Sequence, residues 1–292
     1  MDNMTAKVSI FARAYHYRNN RIHIFADDYA EKILGADYDR IAENMAQGIN
    51  FFMPGFEGTK EEGLRLIVDK QLSPSVLGRS AFCEEMLKDM VSKGLSQYLI
   101  FAAGYDTYAL RCMDKSVSVY ELDMPELLDD KSDRIRKAEL DSSAHPVACN
   151  LAEEGWIEKL MEAGFLSPKR SFGSLLGISY YLEKDEWKKL IASVAGIMPE
   201  GSAICFDYPS DDESRETKTN KQLASGAGEM MKAVYREDEM RTILKEAGFA
   251  ICKCLDSNGM TDRYFAEYNG NEPRHQMAAP VGVKYIYAVK EN

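Results

Sequence analysis

From residue 97 onward, short apolar runs alternate with helical stretches. That alternation narrows the folds open to this chain more than any single motif does. Five runs read as strands, at 97–102, 117–123, 145–151, 173–179 and 202–209. Helical patterns follow them, among them Glu153–Phe165 and the amphipathic Glu183–Met198, with Trp187, Leu190, Ile191 and Val194 on one face. Strands separated by helices build a parallel, doubly wound α/β sheet with helices on both faces. Two further strands, 249–255 and 283–289, follow a helix at Glu237–Gly248. No helical pattern is obvious between them, so they are expected to pair antiparallel as a C-terminal hairpin.

The first 93 residues read as a helical cap on this sheet, within a single domain spanning 1–292 whose core is 94–292. Helices are expected around Ala12-Arg13-Ala14-Tyr15 and over Phe25–Leu34, the latter capped by Asp27 or Asp28. Gly48 to Gly58 is a loop or lid, rich in glycine and phenylalanine. Phe51, Phe52 and Phe56 either close over a ligand there or pin the segment to the core. Residues 61–93 read as two helices split near Ser73-Pro74, the second opening at Gly78-Arg79-Ser80. Residues 210–230 are charged, rich in Ser, Thr and Gly, and lack apolar periodicity, which marks an exposed insertion or a lid.

The first strand runs straight into Ala102-Ala103-Gly104 and then Tyr105-Asp106-Thr107, a helix start. Small residues there let a ligand approach the backbone, and a helix N-terminus offers unpaired N–H groups. A tight turn with no ligand is the plain alternative. The second strand ends in Glu121-Leu122-Asp123. An acid about 20 residues beyond such a turn is placed to accept ribose hydroxyls. Period-two alternation puts Glu121 and Asp123 on the same side, so spacing does not choose between them. Asn150, closing the third strand, can meet an adenine edge or cap its own turn. Arg79 can pair with a carboxylate through its planar fork or sit in an ordinary ion pair.

The formal net charge of −11 argues against a nucleic-acid partner, which needs a basic face. The six cysteines include no Cys-x-x-Cys pair, and the four histidines are not spaced as metal ligands, so no metal site is expected. Cys252-x-Cys254 lies in a strand-like run whose shared face reads as buried. No signal peptide or bilayer-length apolar run is evident, which points to a cytoplasmic protein without a membrane partner.

Several segments in this order resemble the leucine carboxyl methyltransferase family, within the seven-stranded, Rossmann-like class I S-adenosylmethionine-dependent methyltransferases. They are Ala12-Arg13-Ala14, Phe25-Ala26-Asp27, Arg79, Phe101-Ala102-Ala103-Gly104-Tyr105-Asp106-Thr107 with Arg111, Val119–Pro125, Asn150-Leu151 and Tyr180-Tyr181-Leu182. The resemblance implies S-adenosylmethionine as cofactor and S-adenosylhomocysteine as product. It places Arg79 and the N–H groups around Gly104 on the methionine carboxylate, with Ala102, Ala103 and Gly104 all against the cofactor. It places Asp123, with Glu121 second, on the ribose diol, and Asn150 and Leu151 on the adenine. Methyl transfer to a small-molecule hydroxyl or carboxylate is the expected reaction, with Tyr180, Tyr181, Tyr208 and Tyr264 as acceptor-pocket candidates and no residue named as a base. The sequence departs from the family at Ala102, where a glycine is usual, at Asn150, which replaces an aspartate, and at Leu176, where a glutamate is common. A protein C-terminal carboxyl methyltransferase and a non-catalytic cofactor binder are the alternatives within the fold. A nicotinamide oxidoreductase is disfavoured, because residues 102–107 lack Gly-x-Gly-x-x-Gly spacing.

Overall fold

The computed structural model describes residues 4–112, 114, 116–211 and 232–291. The expected insertion at 210–230 therefore lies, beyond residue 211, outside the described residues.

Seven strands form one sheet in the order β3-β2-β1-β4-β5-β7-β6. They are β1 (Gln97–Phe101), β2 (Ser118–Asp123), β3 (His145–Ala148), β4 (Ser171–Leu175), β5 (Ala203–Pro209), β6 (Phe249–Leu255) and β7 (Val283–Lys290). The first five pair in parallel, and β7 runs antiparallel between β5 and β6, as the alternation of elements implies. Strand order reverses between β2-β1 and β1-β4, which opens a crevice at the carboxyl ends of those strands. β4 ends earlier than its apolar run suggests, because Gly177 turns the chain at φ +69°.

Ahead of the sheet come α1 (Met4–Asn19), α2 (Ala30–Leu34), α3 (Asp37–Gln47), α4 (Ile49–Phe52), α5 (Lys60–Ile67) and α6 (Ser73–Ser92). Between and after the strands lie α7 (Tyr108–Arg111), α8 (Pro125–Lys137), α9 (Trp156–Glu162), α10 (Lys184–Ile197), α11 (Glu237–Glu246), α12 (Ser257–Met260) and α13 (Ala266–Asn271). Local sequence explains several starts. Thr59 and Glu62 form a reciprocal capping box at α5. Pro125 opens α8, whose last turn carries Arg134, Arg136 and Lys137 against the helix dipole.

Alternation along the strands sorts side chains into two cores. Leu99, Phe101, Tyr120, Leu122, Ile204 and Phe206 pack with Trp187 and Leu190 of α10. Tyr98, Ile100, Val119, Phe172 and Cys205 pack with Leu77, Phe82 and Leu87 of α6 on the other face. Each such buried side chain contributes about 2 kcal/mol relative to exposure. A third cluster joins Ile10 and Phe11 of α1 to Tyr105, Leu110 and Leu127, fastening the N-terminal helices over the strand ends.

Several expectations need correction: the helix expected over Phe25–Leu34 spans only Ala30–Leu34, and the loop expected over 48–58 begins with α4. The break near Ser73-Pro74 is a change of pitch, not a loop. α5 passes through a π-helical turn at Val68–Leu72 directly into α6, and the Ser73 amide bonds back to the Val68 carbonyl. The segment between β6 and β7 is helical, holding α12, a π turn at Thr261–Phe265 and α13. Its glycines and asparagines hide the period. Cys252 is exposed, because the register shifts between Ile251 and Lys253 and breaks the alternation that would have buried it.

Candidate active site

A cavity of about 1220 Å³ opens at the carboxyl ends of β1, β2 and β4. Single-ligand pockets span about 300–1,000 Å³, so this one is larger than a single small ligand needs. Its floor is the 100–106 turn, Asp123 and the segment after β4. Its roof is α1, Phe52, the π turn at 69–72, the first half of α6 and the 278–283 loop.

The turn after β1 is held from both sides. Ala102 adopts φ +52° and Gly104 φ +53°. The Ala103 amide donates to the Leu122 carbonyl at 3.1 Å. The Gly104 amide donates to Asp123 Oδ2 at 2.7 Å, and the Met124 amide donates to Oδ1, also at 2.7 Å. Gly104 N–H is therefore engaged by Asp123, which corrects the expectation that it faces a ligand carboxylate. Each Asp123 oxygen keeps a second lone pair, and the residue forms part of the cavity wall. Burial raises its carboxyl above the usual range, against the pull of the two amides. Ala102 and Ala103 line the cavity beside it.

Glu121, the other acid weighed for this role, is corrected. It is buried and its Oε2 accepts from Lys131 of α8 at 2.6 Å, away from the cavity wall. Residue 121 still lies within the sheet under α8, whereas Asp123 stands at the strand end.

Arg79 projects from α6 into the cavity wall. Its Nη1 lies 3.6 Å from Oδ2 of the fully buried Asp207 on β5. Asp207 also accepts the Gly177 amide at 2.7 Å and the Tyr180 hydroxyl at 2.9 Å. Burial alone would lower the Arg79 guanidinium, but Asp207 and the surrounding tyrosines outweigh it, so it stays charged. Burial, and then Asp207, push the Tyr180 phenol well above its usual range, so it is a proton-bearing donor at neutral pH.

A buried cluster locks the cap to the turn, and reading the sequence alone did not reveal its geometry. Asp27, with its side chain fully buried, accepts Thr107 Oγ1 at 2.7 Å and lies 3.4 Å from Arg13 and 3.7 Å from Arg111. Arg13 also donates to the Tyr105 carbonyl at 2.7 Å, and Arg111 reaches Glu84 at 3.0 Å. The Ala12-Arg13-Ala14, Phe25-Ala26-Asp27 and Asp106-Thr107…Arg111 segments are thus parts of one charge-balanced joint.

Of the acceptor-pocket candidates, Tyr180 and Tyr181 line the cavity. Tyr208 is corrected: next to Asp207 on β5, alternation turns it into the opposite core against Phe206 and Tyr235. Tyr264 is corrected as well, since it packs on Phe82 beside Arg263, outside the cavity wall. Asn150 and Leu151 also stand outside that wall. The Asn150 side chain caps its own turn, accepting the Ala152 amide at 3.1 Å and donating to Glu153 at 2.7 Å, and Leu151 packs on the sheet core. Leu176 and Phe52 line the cavity, while Phe51 is 71% exposed. Asp69, Lys70 and Gln71 of the π turn and the 278–283 loop line it too. A proline shortly after a helical run, at Pro74, is the one local signal for the former, and Pro280-Val281-Gly282 for the latter.

With this geometry in view, comparison with known proteins is informative. The sequence model of the leucine carboxyl methyltransferase family matches residues 6–195. A Bacillus subtilis protein named "Putative S-adenosyl-L-methionine-dependent methyltransferase YktD" is 30% identical over 304 residues, spanning 99% of this chain and 98% of its own length. A Mycobacterium marinum protein of the same description is 28% identical over 182 residues, 61% of this chain and 60% of that one. Among solved structures, a protein described as a putative methyltransferase from Thermobifida fusca shares the fold with a TM-score of 0.58 at 13% identity, covering 98% of this chain and 94% of that one.

Proposed function

The chain belongs to the leucine carboxyl methyltransferase family of S-adenosylmethionine-dependent methyltransferases, and from that premise we propose that it methylates an oxygen of a small molecule, a hydroxyl or a carboxylate. The observation that carries this reading is the cavity at the strand ends whose lining includes Asp123 of β2, Arg79 of α6, and Tyr180 and Tyr181 after β4.

S-adenosylmethionine supplies a methyl group on a sulfonium, an excellent leaving group. The residues present fit that molecule. Asp123 offers two anchored oxygens to the ribose diol. Arg79 offers a charged fork to the amino-acid carboxylate. Ala102, Ala103 and Gly104 leave the backbone uncrowded between them, for a Cβ built on Gly104 meets only Ala6, at 3.7 Å.

The acceptor is assigned to the rest of the cavity, whose lining includes Tyr180, Tyr181 and the apolar Phe52, Leu72 and Val281. Tyr180, whose one hydroxyl proton is donated to Asp207 and held there by burial, walls the acceptor seat and does not act as a base. A carboxylate acceptor arrives already ionised and needs no base. Alignment of the acceptor against the methyl group then provides much of the rate. The acidic net charge supports a small acceptor in preference to nucleic acid.

The test is transfer of a ¹³C-methyl from S-adenosylmethionine to a panel of small carboxylic acids, phenols and amines. The methyl carbon shift separates O-methyl from N-methyl and S-methyl products. O-methyl products from an acid or a phenol support the reading. Methylation confined to nitrogen or sulfur overturns it.

A further inference from the structure

We infer that Asp207 is a positioning residue: it aims the Arg79 guanidinium at the amino-acid tail of the cofactor and shapes the loop that walls that seat. The inference rests on the assignment of Arg79 proposed above.

The geometry is specific. Asp207 sits on β5, on the face that also carries Cys205 and meets α6. It is completely buried. A carboxylate so placed needs compensation, and it has three sources: the Gly177 amide at 2.7 Å, the Tyr180 hydroxyl at 2.9 Å and the Arg79 charge at 3.6 Å. The first two are hydrogen bonds. The third is beyond hydrogen-bond length, so Asp207 attracts the guanidinium without saturating its donors. Gly177 closes another side, because a Cβ added there would stand 2.6 Å from Arg79 Nη1. Asp207 and the Gly177 backbone together hold the fork at the cavity wall. Asp207 itself does not line the cavity and acts only through Arg79, Gly177 and Tyr180.

The test compares two probes, S-adenosylhomocysteine and 5′-methylthioadenosine, by titration calorimetry. The second carries the nucleoside and sulfur but lacks the amino-acid tail. Arg79→Ala is expected to weaken S-adenosylhomocysteine by about tenfold or more, the worth of a charged hydrogen bond, and to leave 5′-methylthioadenosine within about twofold. Asp207→Asn, isosteric and uncharged, is expected to show the same selective loss. Equal weakening of both probes in Asp207→Asn would mean that Asp207 merely supports the fold, and unchanged affinity for both would mean that it does not aim Arg79. Either result overturns the inference and leaves the Arg79 assignment standing. If Arg79→Ala shows no selectivity, the cofactor seat itself is wrong and the inference falls with it. Should Asp207→Asn fail to fold, Asp207→Ser decides, since its hydroxyl can still accept from the Gly177 amide while the charge facing Arg79 is gone. Selective loss of S-adenosylhomocysteine supports the inference, and its absence overturns it.

Discussion

Thr107 and Asp27, 80 positions apart, share a buried hydrogen bond of 2.7 Å. Through it the turn that follows β1 is held by the N-terminal helices, and Arg13 and Arg111 close on the same carboxylate. Asp27→Asn keeps the shape and leaves Glu84 as the one carboxylate of this cluster beside the Arg13 and Arg111 guanidinium groups. It is expected to cost about 3 kcal/mol, the usual consequence of breaking a buried ion cluster. Urea denaturation measures this directly.

Ala102 holds φ +52°, a conformation that a side chain disfavours by about 1–2 kcal/mol. Glycine relieves that strain but gains freedom in the unfolded chain. Ala102→Gly is therefore expected to raise stability by about 0.5 kcal/mol net. A clear fall in the melting temperature would show that the turn is not strained.

His16 gives the fold a pH dependence. Its Nε2 accepts the Ile24 amide at 3.0 Å, and burial, assisted by His23 and Arg65, lowers its pKa to about 3. The unfolded chain takes up the proton near 6.5, the folded chain only near 3. The stabilisation is present above 6.5 and is lost as pH falls toward 3, at a slope approaching about 1.4 kcal/mol per unit. Denaturant titrations at pH 7, 6 and 5 are expected to show this loss, with a shallower slope in His16→Gln.

Glu121 and Asp123 are two residues apart and are expected to behave differently. Glu121→Gln leaves Lys131 buried without its counter-charge, so a stability loss of about 3 kcal/mol is expected with S-adenosylhomocysteine affinity unchanged. A loss of affinity greater than the loss of folded protein would return Glu121 to the cofactor site.

Much of the fold was legible in the sequence because buried parallel strands are short, apolar and bracketed by helices. β1 and β5 are wholly buried, and their apolar runs marked them within a residue. The parallel sense of the first five strands and the antiparallel pairing of the last two were expected from the sequence, and the structure shows both. What stayed hidden depends on three-dimensional neighbours. Alternation places Glu121 and Asp123 on one side, but only the position of α8 shows that Lys131 takes the first and leaves the second to Gly104. Tyr208 and Asp207 are adjacent in sequence, yet one enters the core and the other supports the cavity wall. Asn150 looked like a ligand because its amide can serve either a base edge or a turn, and here the turn has it. The π turn that brings Asp69, Lys70 and Gln71 to the cavity leaves no periodic trace beyond Pro74.

The most direct test of the cofactor seat is calorimetric titration of S-adenosylhomocysteine, with NAD in parallel, into the wild-type protein and Asp123→Ala. The account predicts that the wild type binds the first and not NAD, and that Asp123→Ala weakens binding by about tenfold or more. Binding of NAD alone, or unchanged affinity in Asp123→Ala, would contradict it.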